Sequence, residues 1–200
     1  MSIKICLKEE VFLNFLMGKD NNTMNLYTLL AILITALLSC SRTETPQNHL
    51  KAAIENNSVA VFKTNKGTIR LHFYQQQAPN TCKRMKELIA QGFYNGQTFH
   101  RVIPGYIIQT GEPASTGADS SNLKIKDEVN TLQHIKGVVA MAKQENTKDS
   151  ADTQFYIALN TLPDLDSKFT IFAKVVEGIS ILDEIVQGDK ILSAHLVEQK

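Results

Sequence analysis

The stretch Phe99-His100-Arg101-Val102-Ile103-Pro104-Gly105-Tyr106-Ile107-Ile108-Gln109 decides how the rest of the chain is read. Its β-branched residues predict an apolar strand over Val102–Gln109, with a cation just ahead of it and an amide at its end. Upstream, Ile69, Leu71 and Phe73 alternate with Arg70 and His72, the period of a half-buried strand. Val59–Thr64 forms a second such run. The intervening Asn65-Lys66-Gly67 is a hairpin signal.

Between these regions, Pro79 can open a helix because the first turn needs no N–H from it. Cys82, Met85, Leu88 and Ile89 recur at helical spacing, and Gly92 suits the stop. Further strands are predicted at Gly137–Ala142, Gln154–Leu159 and Thr170–Val176. Ile181, Leu182, Ile185 and Val186 make a second helical stripe, and Ile191–Val197 a closing strand. Many short strands with two helices indicate a β-barrel or a sandwich capped by helices.

The quoted stretch resembles the signature of the cyclophilins, and its flanks Gly92–Thr98 and Thr110-Gly111-Glu112-Pro113 continue the likeness. It resumes at Gly137–Ala142, Ser150–Ile157 and Leu165–Val175, and spans about Ser58 to Val197 in order. The resemblance implies a mainly β fold, a closed antiparallel eight-stranded barrel capped by two α-helices, in a domain at 58–199. It also implies peptidyl-prolyl cis/trans isomerase activity.

That reaction rotates an X-Pro bond over a barrier of about 18–20 kcal/mol set by amide resonance. No bond breaks, so the chemistry calls for no nucleophile, metal or cofactor. It needs an apolar cup for the pyrrolidine ring and a cation beside the imide. By resemblance, Arg101 supplies the cation and Gln109 holds both Arg101 and the substrate backbone. Tyr106, Ile107, Tyr156, Leu165 and Phe169 form the cup, and Met141, Ala142 and Gln154 complete the peptide-binding residues. Taken singly, each apolar residue here reads as core. Arg101 alone would read as a surface ion-pair former.

The sequence also departs from the family pattern. Tyr106, Ile107 and Tyr156 replace the usual Phe, Met and Phe. Asp164 stands where many eukaryotic members have a Trp that contributes to cyclosporin binding, and Phe169 replaces a His or Tyr. Weak cyclosporin affinity is therefore expected. A prolyl-peptide binding module with little turnover, and a barrel carrying a small apolar ligand, are the rival readings.

The chain has 43% hydrophobic and 20% charged residues, an ordinary globular balance. A net charge of +1 with scattered basic residues gives no nucleic-acid footprint. The 3 cysteines, Cys6, Cys40 and Cys82, fit neither a zinc site nor a disulfide framework. Cys82 reads as a small core residue.

Leu26–Leu38 is almost wholly apolar but shorter than the ~20 residues of a membrane span. Followed by Ser39-Cys40, it resembles a bacterial lipoprotein signal with Cys40 as the lipidated residue. The reading is a leader at 1–23 ahead of an alternative start at Met24, a signal at 24–39 and a polar tether at 40–57. The expected protein is a monomer held to an envelope membrane through its lipid alone. It acts on proline-containing peptides and on unfolded or folding proteins.

Overall fold

Thr64 shows how the first hairpin turns. Its hydroxyl donates to the Gly67 carbonyl (2.8 Å) and accepts from the Lys66 and Gly67 N–H groups (both 3.1 Å). The turn joins β1 (Ser58–Thr64) to β2 (Gly67–Phe73), with Ile69, Leu71 and Phe73 buried. The computed structural model describes residues 58–111, 124–144 and 147–198. The leader, signal and tether readings, Cys40, and the Glu112-Pro113 flank lie outside the described residues.

Helix α1 (Pro79–Ala90) starts at its proline, and Cys82, Met85, Leu88 and Ile89 are buried as their spacing predicts. Its N-cap residue, Ala78, offers no side-chain acceptor. The orphan N–H groups of Asn80 and Thr81 instead donate to the Glu128 carboxylate at 3.0 and 2.8 Å, and the Asn80 amide adds a bond of 2.9 Å. Burial pushes the Glu128 carboxyl up, but these hydrogen bonds prevail and hold it below its ordinary value.

The remaining strands are β3 (Arg101–Ile103), β4 (Ile107–Thr110), β5 (Val138–Met141), β6 (Phe155–Ala158), β7 (Ile171–Glu177) and β8 (Ile191–Glu198). They form an antiparallel sheet in the order β3-β4-β6-β5-β7-β2-β1-β8. Three sequence expectations need correction here. The Val102–Gln109 strand is a hairpin, because Pro104 and Gly105 (φ 71°) supply the Pro-then-Gly order of a type II turn. Tyr106 N–H donates back to Ile103 C=O at 3.0 Å.

The barrel is an open half-barrel rather than a closed one, with β3 and β8 as its edges. The chain ahead of β3 meets the chain ahead of β8 through a single bridge, Thr98 to Lys190. Backbone bonds from Phe99 to Asp189 (2.9 Å) and from Gly188 to Phe99 (3.0 Å) lie on one side of it, and bonds from Ile191 to Gln97 (2.8 Å) and from Gly96 to Ile191 (2.7 Å) on the other. Gly96 (φ 79°) and Gly188 (φ 92°) take left-handed turns on either side, so no ladder extends.

The second α-helix is a 3-10 helix, Ile179–Glu184, entered from left-handed Gly178 and left through extended Ile185. Leu182 and Ile185, three residues apart, reach the core, which suits a three-residue repeat. Val186, which would extend an α-helical stripe, is 56% exposed.

Strand alternation sorts the apolar residues into two clusters on opposite faces. Ile108, Val139, Met141, Phe155, Ile157 and Phe172 join α1 in the main core. Their sequence neighbours Ile107, Val138, Ala140, Tyr156, Ala158 and Ile171 form a second cluster on the outer face, against which Tyr106, Leu165 and Phe169 pack.

Candidate functional site

Four strands contribute one residue each to a row across this outer face. Arg101 on β3 pairs with Gln109 on β4, Gln109 with Tyr156 on β6, and Tyr156 with Ala140 on β5. Directly opposed residues share a face, so the Pro104-Gly105 hairpin alone brings Arg101 and Gln109 together. An Arg101 guanidinium N–H (Nη1) donates to Gln109 Oε1 at 3.2 Å, and Gln109 Nε2 donates to Gln154 Oε1 at 2.8 Å. Arg101 is exposed while Gln109 is half-buried, so the more enclosed amide steers the exposed cation.

Beside this row lies a cup with a cavity volume of about 390 Å³. Tyr106, Ile107, Tyr156, Leu165 and Phe169 line it, Ala142 joins them, and Arg101 and Gln109 form one rim. A polar pocket of about 230 Å³ adjoins it, sharing Gln109, Ala142 and Lys143 and adding Gln154, Ser150 and Asp152.

Two of the expected residues fall outside the cup. Met141 is 2% exposed and points into the main core, because Ala140, one residue away, occupies the outer face. Gln154 lines the polar pocket and buttresses Gln109.

The structure places two further side chains here, beyond the site residues that the resemblance implies. Lys143 lines both cavities; its Nζ sits 2.7 Å from Asp127 Oδ2 and 5.7 Å from the Phe169 ring centroid. Its position directly after Ala142 was the available signal. His134 is 0% exposed behind the cup wall and bonds to Asp166 and Tyr156. Those partners are 32 and 22 residues distant, and no local pattern announces them.

The Tyr156 ring packs edge-on to Phe169 (5.7 Å, 89°) and lies parallel to the His134 ring (5.9 Å, 12°). Burial pushes the Tyr156 hydroxyl well up, with Tyr106 and Asp166 adding to the effect, so it stays protonated. Hydrogen bonds from the His134 backbone and ring hold the Asp166 carboxyl below its ordinary value. Among the described residues, no group of three or more His, Cys, Asp or Glu is placed to hold a metal. The arrangement can seat a small apolar ring, hold extended backbone along a polar margin and present a fixed cation to whatever lies between.

Comparison with known proteins bears on this geometry. The profile of the family described as "Cyclophilin type peptidyl-prolyl cis-trans isomerase/CLD" matches residues 59–198. A peptidyl-prolyl cis-trans isomerase of Helicobacter pylori is 40% identical over 144 residues, covering 70% of this chain and 87% of its own length. One from Synechococcus elongatus is 39% identical over 140 residues, covering 69% and 95%. The crystal structure of a Cryptosporidium parvum cyclophilin-type isomerase in the presence of the dipeptide Ala-Pro superposes with a TM-score of 0.64 at 26% identity, covering 70% of this chain and 99% of that one.

Proposed function

Because this chain belongs to the cyclophilin-type peptidyl-prolyl cis-trans isomerases and is an enzyme of that activity, we propose that Arg101, steadied by Gln109, is its catalytic cation. In a planar X-Pro amide the nitrogen lone pair is delocalised and accepts no hydrogen bond. As the bond twists, the lone pair localises on a pyramidal nitrogen and becomes an acceptor. A guanidinium waiting there binds the twisted state better than either planar state, and that difference is the catalysis.

The proline ring sits in the cup of Ile107, Tyr106, Tyr156, Leu165 and Phe169, while Gln109 and Ala142 take the backbone of the extended peptide. The apolar walls bind ground and twisted states alike and so set affinity. Arg101 sets rate. The observation that carries this reading is the 3.2 Å bond from Arg101 to Gln109 at the rim of the cup, with the permanently charged fork exposed to the cavity.

Exchange NMR on an Ala-Pro tetrapeptide with the full chain tests it. Acceleration that is lost in Arg101→Ala supports the mechanism. Peptide binding without acceleration would favour the binding-module alternative.

We further propose that the enzyme acts as a monomer in a bacterial cell envelope, lipid-anchored through Cys40, on exported proteins as they fold. The Leu26–Leu38 run ending in Ser39-Cys40 supports this. Two or more acyl chains would give firm anchorage. Mass spectrometry of the mature N-terminus should find acylated Cys40, and an unmodified Cys40 would refute the anchor.

A further inference from the structure

The cup's aromatic wall is tied from behind. His134 is wholly buried, and its ring Nδ1 lies 2.8 Å from Asp166 Oδ1, which also accepts the His134 backbone N–H at 2.7 Å. Its Nε2 lies 2.9 Å from the Tyr156 hydroxyl. An ionised carboxylate only accepts, so Nδ1 carries the ring proton toward Asp166. In the neutral ring Nε2 is then the acceptor, and the Tyr156 O–H donates to it. The His134 carbonyl completes the arrangement by accepting the Leu162 N–H at 2.7 Å, just ahead of the 3-10 turn Pro163–Leu165 that carries Leu165. Two walls of the cup therefore hang on one buried residue, Tyr156 through the His134 ring and Leu165 through its backbone carbonyl.

A hydroxyl on a buried aromatic is costly unless it is bonded, and this one has a bonded partner whose own tautomer is fixed by a third group. The parallel His134 ring at 12° and the edge-on Phe169 at 89° pack the Tyr156 ring from two sides.

We propose that His134 is a positioning residue for substrate: through the Asp166–His134–Tyr156 chain it fixes the Tyr156 ring and so determines how tightly the cup closes on proline. The inference rests on the reading of that cup as the proline site. The wall binds planar and twisted states alike, so its loss is expected in KM rather than in kcat.

Two amide substitutions separate the bonds. An Asn side chain can mimic Nδ1 and keep Asp166 while losing Tyr156. A Gln side chain can mimic Nε2 and keep Tyr156. Exchange kinetics of the full chain should show His134→Asn raising KM for an Ala-Pro peptide about five- to tenfold, with kcat changed less than about twofold. His134→Gln should stay within about twofold in KM. In a Tyr156→Phe background, His134→Asn should add less than about twofold, since the bond it removes is already gone.

An unchanged KM in His134→Asn, or an effect undiminished in the Tyr156→Phe background, would overturn the proposal and leave His134 a structural residue. Nitrogen-15 NMR of the wild-type imidazole gives a check that needs no variant to fold. A protonated Nδ1 with a bare Nε2 is expected, and a ring protonated at Nε2 alone would overturn the chain as drawn. Wild-type protein that fails to accelerate exchange would sink the cup reading and this inference together. Normal wild-type turnover with an unmoved KM in His134→Asn would sink only the inference.

Discussion

Replacing Arg101 with alanine should separate stability from catalysis, and the structure sets the size of each effect. The side chain is exposed, and its bond to Gln109, at 3.2 Å, is long for a charged donor. Removing it should change folding stability by no more than about 0.5 kcal/mol. The catalytic loss should be larger, because a preorganised donor aimed at developing electron density is worth about 2.7–4 kcal/mol. Arg101 sits at an open rim rather than in a sealed pocket, which weakens its field and favours the lower end. At about 1.36 kcal/mol per decade, that corresponds to roughly 10² in kcat.

Arg101→Lys keeps the charge and loses the planar fork that Gln109 grips, so an intermediate loss near about tenfold is expected. The assay is exchange NMR on a prolyl tetrapeptide at saturating and subsaturating concentrations, with thermal unfolding recorded on the same samples. Arg101→Ala protein with intact unfolding and a kcat within about threefold of wild type would refute the mechanism. A loss confined to KM would also refute it, since that would make Arg101 a ground-state contact.

Two further outcomes follow from groups other than Arg101 and Gln109. Glu128→Ala removes the remote cap of α1 and should cost about 1 kcal/mol in denaturant unfolding, with the helix otherwise intact. The folded Glu128 carboxyl is held below its ordinary value, so its contribution is present above the ordinary carboxylate range and is lost as pH falls through the lower folded value. A Glu128→Ala stability deficit that stays constant down to strongly acidic pH would contradict this. Cyclosporin should bind weakly, because Asp164 is an exposed carboxylate on a 3-10 turn at the position where, by resemblance, an indole contributes to drug binding. Nanomolar affinity by calorimetry would show that the drug site survives without it.

Much of the site was legible because it is local. The motif named Arg101 and Gln109, yet reading Val102–Gln109 as one strand would have kept them apart. Eight residues of extended chain span about 26 Å at ~3.3 Å each. The Pro104-Gly105 turn reduces that separation to a hydrogen bond of 3.2 Å. Met141, placed by resemblance among the peptide-binding residues, is buried in the main core for the opposite reason. The resemblance carries no orientation, whereas strand alternation with outward Ala140 sends Met141 inward. The stripe from Ile181 to Val186 fits an α-helix and a 3-10 turn until Gly178 and Ile185 fix its ends. His134 was beyond reach because every contact that gives it a role is tertiary. Barrel closure also depended on long-range contacts, since a single bridge, Thr98 to Lys190, stands where a ladder was expected.

The position of the cup on the outer face of the sheet bears on which prolines can be served. A tunnel or an enclosed chamber would demand a free chain end or a fully unfolded client. A recess on an outer wall can be approached sideways by the middle of a long chain, including a loop already pinned at both ends by folded structure. If the cup seats proline as proposed, the limiting quantity is the client's slack: whether the loop around its proline can be drawn out far enough for the ring to reach Ile107 and Tyr156 while its flanks stay attached.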